Sequence, residues 1–298
     1  LTDAITSQPR RTALADSLRG VGRRHTRTLR DALVVIGIAR AVWYFVVQGV
    51  HPWEFLGIDA RAYWAVDLAH PYANSGVGDH STYLYSPAFA QALAPFALLP
   101  FEAFFALWTV AAVAVLIWLV RPWPWALGIL ALPILYELAV GQVHLFIAAA
   151  IVIGFRYPAA WALPILTKIT PGIGLLWFPI RREWRALAIG VGTTAAIVAV
   201  SFVLSPSAWF EWIAFLTAST GRGDSLYLRI AAGIALVAFG ALTDRKWLVP
   251  VAVWVALPVV WVESWVILLA IIRLRPPAQE RRDETATLPA AHPESAAA

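Results

Sequence analysis

At 298 residues, 60% of them hydrophobic, and with a mean hydropathy of +0.69, the chain is too apolar to cover a water-facing surface. Charged residues make up 14%, against about 25% in a soluble domain, so a polytopic all-α membrane protein is expected. The formal charge of +5 comes from 21 Arg and two Lys, dispersed at the ends of apolar runs, as membrane topology requires and nucleic-acid binding does not.

The chain has no Cys, which excludes disulfides and Cys-ligated metals. The apolar runs are continuous, not alternating, which sets a membrane β-barrel aside. Residues 1–31 carry seven Arg (10, 11, 19, 23, 24, 27 and 30) and read as a basic cytoplasmic arm, with no cleavable signal peptide in it. Residues 32–50 are the first span. An outer loop over 51–85 follows, with Arg61 as its one basic residue, so the N-terminus is placed on the cytoplasmic side of the plasma membrane.

Further apolar segments lie at 86–100, 101–120, 123–140, 142–155, 159–180, 186–204, 228–243, 247–261 and 264–274. Several are shorter than the ~20 residues a span needs, so half-helices and re-entrant pieces are expected among about nine to eleven membrane segments. Basic clusters at Arg181, Arg182 and Arg185, at Arg245 and Lys246, and at Arg273, Arg275, Arg281 and Arg282 mark inner ends. They leave 205–227 as a second outer loop and "LPVVWVESW" as an outer turn. Simple alternation would put Arg121 and Arg156 outside. Bringing them inside requires 86–100 or 101–120 to be re-entrant and 159–180 to be a hairpin with its apex near Lys168. Residues 32–275 form the transmembrane domain. Residues 276–298 read as a disordered cytoplasmic tail.

Polar residues set in this background are the candidates for chemistry. Asp59 and Tyr63 stand at i, i+4 and share a helix face, whereas Arg61 points elsewhere. A carboxylate there can serve as a general base. "STYLYSPAF" offers Tyr83 and Tyr85 as interface residues, with Pro87 opening a helix. In "ELAVGQVHLF", Glu137, Gln142 and His144 break an apolar run at a glycine and face the interior or a cavity. Lys168 is the one Lys within an apolar segment, and an anion such as a phosphate suits it there. Trp209 and Trp212 interleave with Arg222, Asp224 and Arg229 in the second outer loop.

In order and spacing, D-x-x-x-Y after the first span, "HPY" (70–72), "YLYSPAF" (83–89), "GQVHLF" (141–146) and "TKITPGIGLLWFPIRREWRA" (167–186) resemble glycosyltransferase family 87. These are membrane enzymes of the GT-C superfamily, similar to phosphatidylinositol-mannoside mannosyltransferases. The resemblance implies a polyprenyl-phosphate sugar donor, typically mannose, and a lipid or glycan acceptor. It implies inversion on the outer face, with Asp59 as general base. Lys168 matches the family's K-x-x-P lysine and Gln142 its G-Q glutamine. Lys168, Arg61, Arg222 and Arg229 are the cations offered to the donor phosphate. Tyr63, Tyr83, Tyr85, Gln142, His144 and Glu263 are offered to substrate. Glu263 stands where the family has His, and Val260 where it has Ser. A phosphate is already a good leaving group, so neither metal nor cofactor is expected. Two other readings fit the apolar pattern: a solute or lipid transporter, and a non-catalytic subunit of a cell-envelope complex.

Overall fold

The computed structural model describes residues 8–49, 52–72, 82–219 and 224–275, and every regular element among them is helical. The tail expected over 276–298 lies outside the described residues. The first helix, Gln8–Val47 (α1), runs unbroken through the Arg-rich arm and the first apolar stretch. Pro9 sits in its first turn, where proline is tolerated, and no proline follows until Pro52, so nothing stops the helix at residue 32.

Ile58–Trp64 (α2) carries Asp59. Pro87–Leu93 (α3) opens with proline after an extended Ser86 and continues as a 3-10 segment, Ala94–Leu98. Phe101–Val120 (α4) follows directly. Ala126–Ile129 (α5) and Ala131–Val140 (α6) lead to His144–Gly154 (α7), and α6 and α7 are bent by 107° at Gly141. Next come Ala162–Lys168 (α8), a 3-10 stretch Thr170–Leu176, and Trp177–Ile180 (α9). The remainder is Trp184–Leu204 (α10), Pro206–Ser219 (α11), Asp224–Leu242 (α12), Leu248–Val255 (α13), a 3-10 stretch Glu263–Leu269 and Ala270–Leu274 (α14). Most of the 205–227 stretch, expected as a loop, is therefore helix.

Helices α4 and α10 and residues 225–242 of α12 are each long and apolar enough to cross a membrane alone. The others are short and meet at breaks. One end of the bundle collects the basic residues. Arg273 lies over Trp118 beside Arg121, and Arg275 lies over Trp123 and Trp247. Lys246 lies over Phe155, next to Arg156, and Arg181 pairs with Asp244 at 3.0 Å. Arg121 and Arg156 thus join the other clusters at one end, as the positive-inside rule prefers. Two local features bear on this. Both ends of 87–98 lie by α2 and α8, because Ser86 N–H donates to Leu166 O and Trp64 Nε1 donates to Leu99 O. Segment 158–180 turns back at Lys168 and Ile169.

That hairpin is held by Trp161, which is completely buried. A Cβ on Gly174 would meet its ring at 2.2 Å, and one on Gly154 would meet its Nε1 at 2.5 Å. The benzo and pyrrole parts of the indole therefore each rest on a glycine. Burial of a ring this large stabilises by several kcal/mol, about 3–5 by the cost of removing one. It anchors the base of the helical hairpin whose apex carries Lys168.

Candidate functional site

At the end of α7 away from the basic cluster, α2 is fastened at two glycines. Gly57 precedes it with φ +67° and donates its N–H to Ala139 O at 2.7 Å. Gly141 ends α6 with φ +76°, and a Cβ there would meet Ala60 Cβ at 2.6 Å. Only glycine adopts such angles freely. The first turn of α2, with Asp59 in it, is thereby pressed against the α6–α7 break that carries Gln142.

The contact is polar beyond that point. Gln142 Oε1 accepts from Tyr85 OH at 3.0 Å, from Tyr63 OH at 3.3 Å and from its own neighbour Val143 N–H at 3.0 Å. The two phenols are also 3.0 Å apart. Val143 N–H can only donate, so the amide atom facing it is oxygen, and the orientation of Gln142 is fixed. Burial pushes the Tyr63 and Tyr85 phenols above their ordinary value, with the charge of Asp59 adding to the effect. Both stay protonated and act as donors.

Lys168 closes the group from α8. Its Nζ lies 5.7 Å from the centre of the Tyr85 ring, within cation–π range. It interacts electrostatically with Asp59, Glu263 and Glu137. Ile169, next in the chain, has φ +50° and ψ −61°, a strained setting for a β-branched residue. The strain is held where the hairpin must reverse beside the charge. Glu263 is buried at the start of its 3-10 stretch and interacts with Lys168 and Asp59. Asp59, Glu137 and Glu263, on three further elements, thus lie within electrostatic range of Lys168.

Other candidates are engaged elsewhere. The Arg61 guanidinium lies 3.9 Å over the Phe101 ring on the exposed side of α2. Arg229 Nε donates to Val255 O at 2.9 Å, tying α12 to α13. Arg222 lies outside the described residues. Tyr83 is buried and donates to Ser86 O at 2.6 Å, while Tyr72 donates to Tyr85 O at 2.6 Å. These two phenols fix the 82–86 connection. Asp67 Oδ1 accepts from Ala69 N–H at 2.9 Å in a local turn, a structural use. Helix α11 covers this side. Trp212 Nε1 donates to Leu84 O, Phe215 stacks on Tyr72, and Glu211 sits 3.3 Å from His70.

His144 is completely buried, its Nδ1 3.0 Å from Glu137 Oε2. Glu137 is the residue of this group to which sequence reasoning gave no role. The signal was its spacing: a carboxylate seven residues before a histidine, on the far side of a helix-breaking glycine. Among the described residues, no three His, Cys, Asp or Glu side chains are grouped to hold a metal ion. A cavity of about 520 Å3 opens alongside, lined by Leu68, Ala69, Gln91, Ala94, Leu204 and Ser205. None of these residues belongs to the Asp59 group.

Comparison with known proteins gives one match: the sequence model of glycosyltransferase family 87 fits residues 83–291. No curated protein and no solved structure matches the chain significantly.

Proposed function

The chain belongs to glycosyltransferase family 87, so it is a membrane glycosyltransferase, and on that premise we propose that it moves a hexose, mannose in the first instance, from a polyprenyl phosphate to a lipid or glycan acceptor at the outer face of the plasma membrane. The observation that carries this reading is the convergence of Asp59, Lys168 and Glu263 beside the oriented amide of Gln142.

In this reading the acceptor hydroxyl oxygen attacks the anomeric carbon. Asp59 takes the hydroxyl proton as the new C–O bond forms. The bond from the anomeric carbon to the phosphate oxygen breaks on the opposite side, which inverts the configuration, and the electron pair leaves with the lipid phosphate. Lys168 lies where that charge develops and stabilises it in a site shielded from bulk water. Gln142 Nε2 is left to meet the sugar or the acceptor. The open cavity beside α3 and the end of α10 has apolar walls in Leu68, Ala69, Ala94 and Leu204 and gives room for a lipid chain.

Membranes containing the protein, a radiolabelled polyprenyl-phosphate mannose and a panel of lipid acceptors test the proposal. The wild type transfers label, and Asp59→Asn, folded and present in equal amount, does not. Undiminished transfer by Asp59→Asn would refute the base assignment. No transfer from this donor to any acceptor would refute the donor class.

A further inference from the structure

Glu137 is 1% exposed, yet both ends of the residue are fully engaged. Its carboxylate Oε1 accepts from Leu145 N–H at 2.9 Å, one of the donors left unpaired in the first turn of α7. Its Oε2 meets His144 Nδ1 at 3.0 Å. Its main-chain oxygen accepts from both Gly141 N–H and Gln142 N–H, each at 3.1 Å. One residue at the end of α6 therefore holds the turn residues and the start of α7 across a bend of 107°. The other nitrogen of the buried imidazole, Nε2, has no hydrogen-bond partner. The pair is thus not closed by a wider polar network on that side, and Glu137 is what fixes the ring.

The position of the bend decides where Gln142 points. Its Oε1 is saturated by two phenols and a main-chain donor, and its Nε2 takes part in none of those contacts. A rotation of the turn would break that set and re-aim the amide. Helix propensity cannot hold the bend, since Gly141 at φ +76° ends α6 and the residue that starts α7, Val143, offers no side-chain cap of its own.

We propose that Glu137 is a positioning residue of the glycosyl-transfer site, acting through the Gly141–Gln142 turn, with His144 as its partner. The inference rests on the glycosyltransferase reading of the same site. Glu137 need not touch substrate. It sets the one geometry in which the Gln142 amide faces it, and a misplacement of about 1 Å can cost ~100-fold in rate.

The test uses the full chain in detergent with Glu137→Gln, Glu137→Leu, Gln142→Ala and the Glu137→Leu/Gln142→Ala double variant. Two measurements are made per folded molecule: transfer from radiolabelled polyprenyl-phosphate mannose, and amide hydrogen exchange of the 141–145 peptide. We expect Glu137→Leu to lower kcat by about 100-fold with little change in the donor KM. Glu137→Gln keeps one carbonyl oxygen for Leu145 N–H and loses about tenfold. The double variant is no slower than Gln142→Ala, because the two residues act through one group. Within that peptide, exchange of the Leu145 amide speeds up at least tenfold in Glu137→Leu and not in Gln142→Ala, which frees only Val143 N–H. Multiplicative losses in the double variant, or exchange unchanged by Glu137→Leu, would overturn the inference. If Glu137→Leu does not fold, Glu137→Gln carries both measurements. A wild type that transfers nothing from this donor refutes the donor reading alone, and exchange then decides the role of Glu137.

Discussion

Gly141→Ala is the sharpest perturbation of the site, because it changes no polar group. The residue is at φ +76°, where a Cβ costs about 1–3 kcal/mol. The new methyl would lie 2.6 Å from Ala60 Cβ, 3.3 Å from a Phe105 ring atom and 3.4 Å from Ala60 N. The nearest of these contacts is on the first turn of α2, and its neighbour Asp59 must move with it. Relieving overpacking of this kind costs a further 1–3 kcal/mol or so. The expected loss is therefore about 2–6 kcal/mol of stability in detergent, with transfer per folded molecule down by an order of magnitude or more as Asp59 and Gln142 separate. The double variant Gly141→Ala/Ala60→Gly divides the two causes. It removes the 2.6 Å contact but not the backbone strain, so it should recover transfer more fully than stability. Thermal unfolding followed by size-exclusion chromatography, alongside the transfer assay, reads both. Wild-type stability and rate in Gly141→Ala would refute the reasoning, and so would a double variant no better than the single.

Three further outcomes follow from the same geometry. Gly174→Ala should destabilise by about 1–3 kcal/mol, because the new methyl would meet the completely buried Trp161 ring, which also packs on Gly154; chemical denaturation in micelles measures it. Lys168→Met should lower both stability and transfer, and adding Glu263→Gln should restore stability by about 1–3 kcal/mol through charge balance. Transfer should stay low in that double variant, and its recovery would mean that Lys168 is only a counter-ion. Stability should also fall above about pH 10. Burial raises the Tyr63 and Tyr83 phenols well above their ordinary value, so unfolded tyrosines ionise there while folded ones stay neutral. The slope is about 1.4 kcal/mol per pH unit for each such tyrosine, and Tyr83→Phe should flatten it in alkaline melts.

Hydropathy carried the membrane class, and motif spacing carried the juxtaposition of Asp59 with Tyr63 on α2. Arg61 was legible as pointing elsewhere on that helix, and it does, onto Phe101. The break at Lys168 was visible in Pro171 and Gly172, yet the strained residue is Ile169, which no propensity flags. The tyrosines looked like interface residues because an exposed and a buried phenol read alike in sequence. What turns Tyr85 inward is Gln142, 57 residues away, and a buried hydroxyl must find such a partner. Glu137 was legible as an interior residue, but its role was not, for a related reason. Its role depends on a bend at Gly141 that aims two main-chain donors back at it, and a bend angle is not written in composition.

The short helices explain where the charge ends up. Helix α10 has 21 residues and rises about 31 Å from the basic end, while α7, whose last turn meets the same end, has 11 and spans about 16 Å. Gln142 and His144 therefore sit near half the height of the bundle, and the α8 hairpin delivers Lys168 to a similar level. Half-length helices leave main-chain groups exposed at that depth, which is tolerable only where protein or water meets them. Glu137 and Gln142 meet several of them here. A floor this deep is costly to furnish with three carboxylates and one lysine unless the reaction takes place there. A sugar that must reach such a floor is most simply delivered on a lipid already lying in the bilayer beside it, which makes lipid-linked donors the first class to assay, ahead of water-soluble nucleotide sugars.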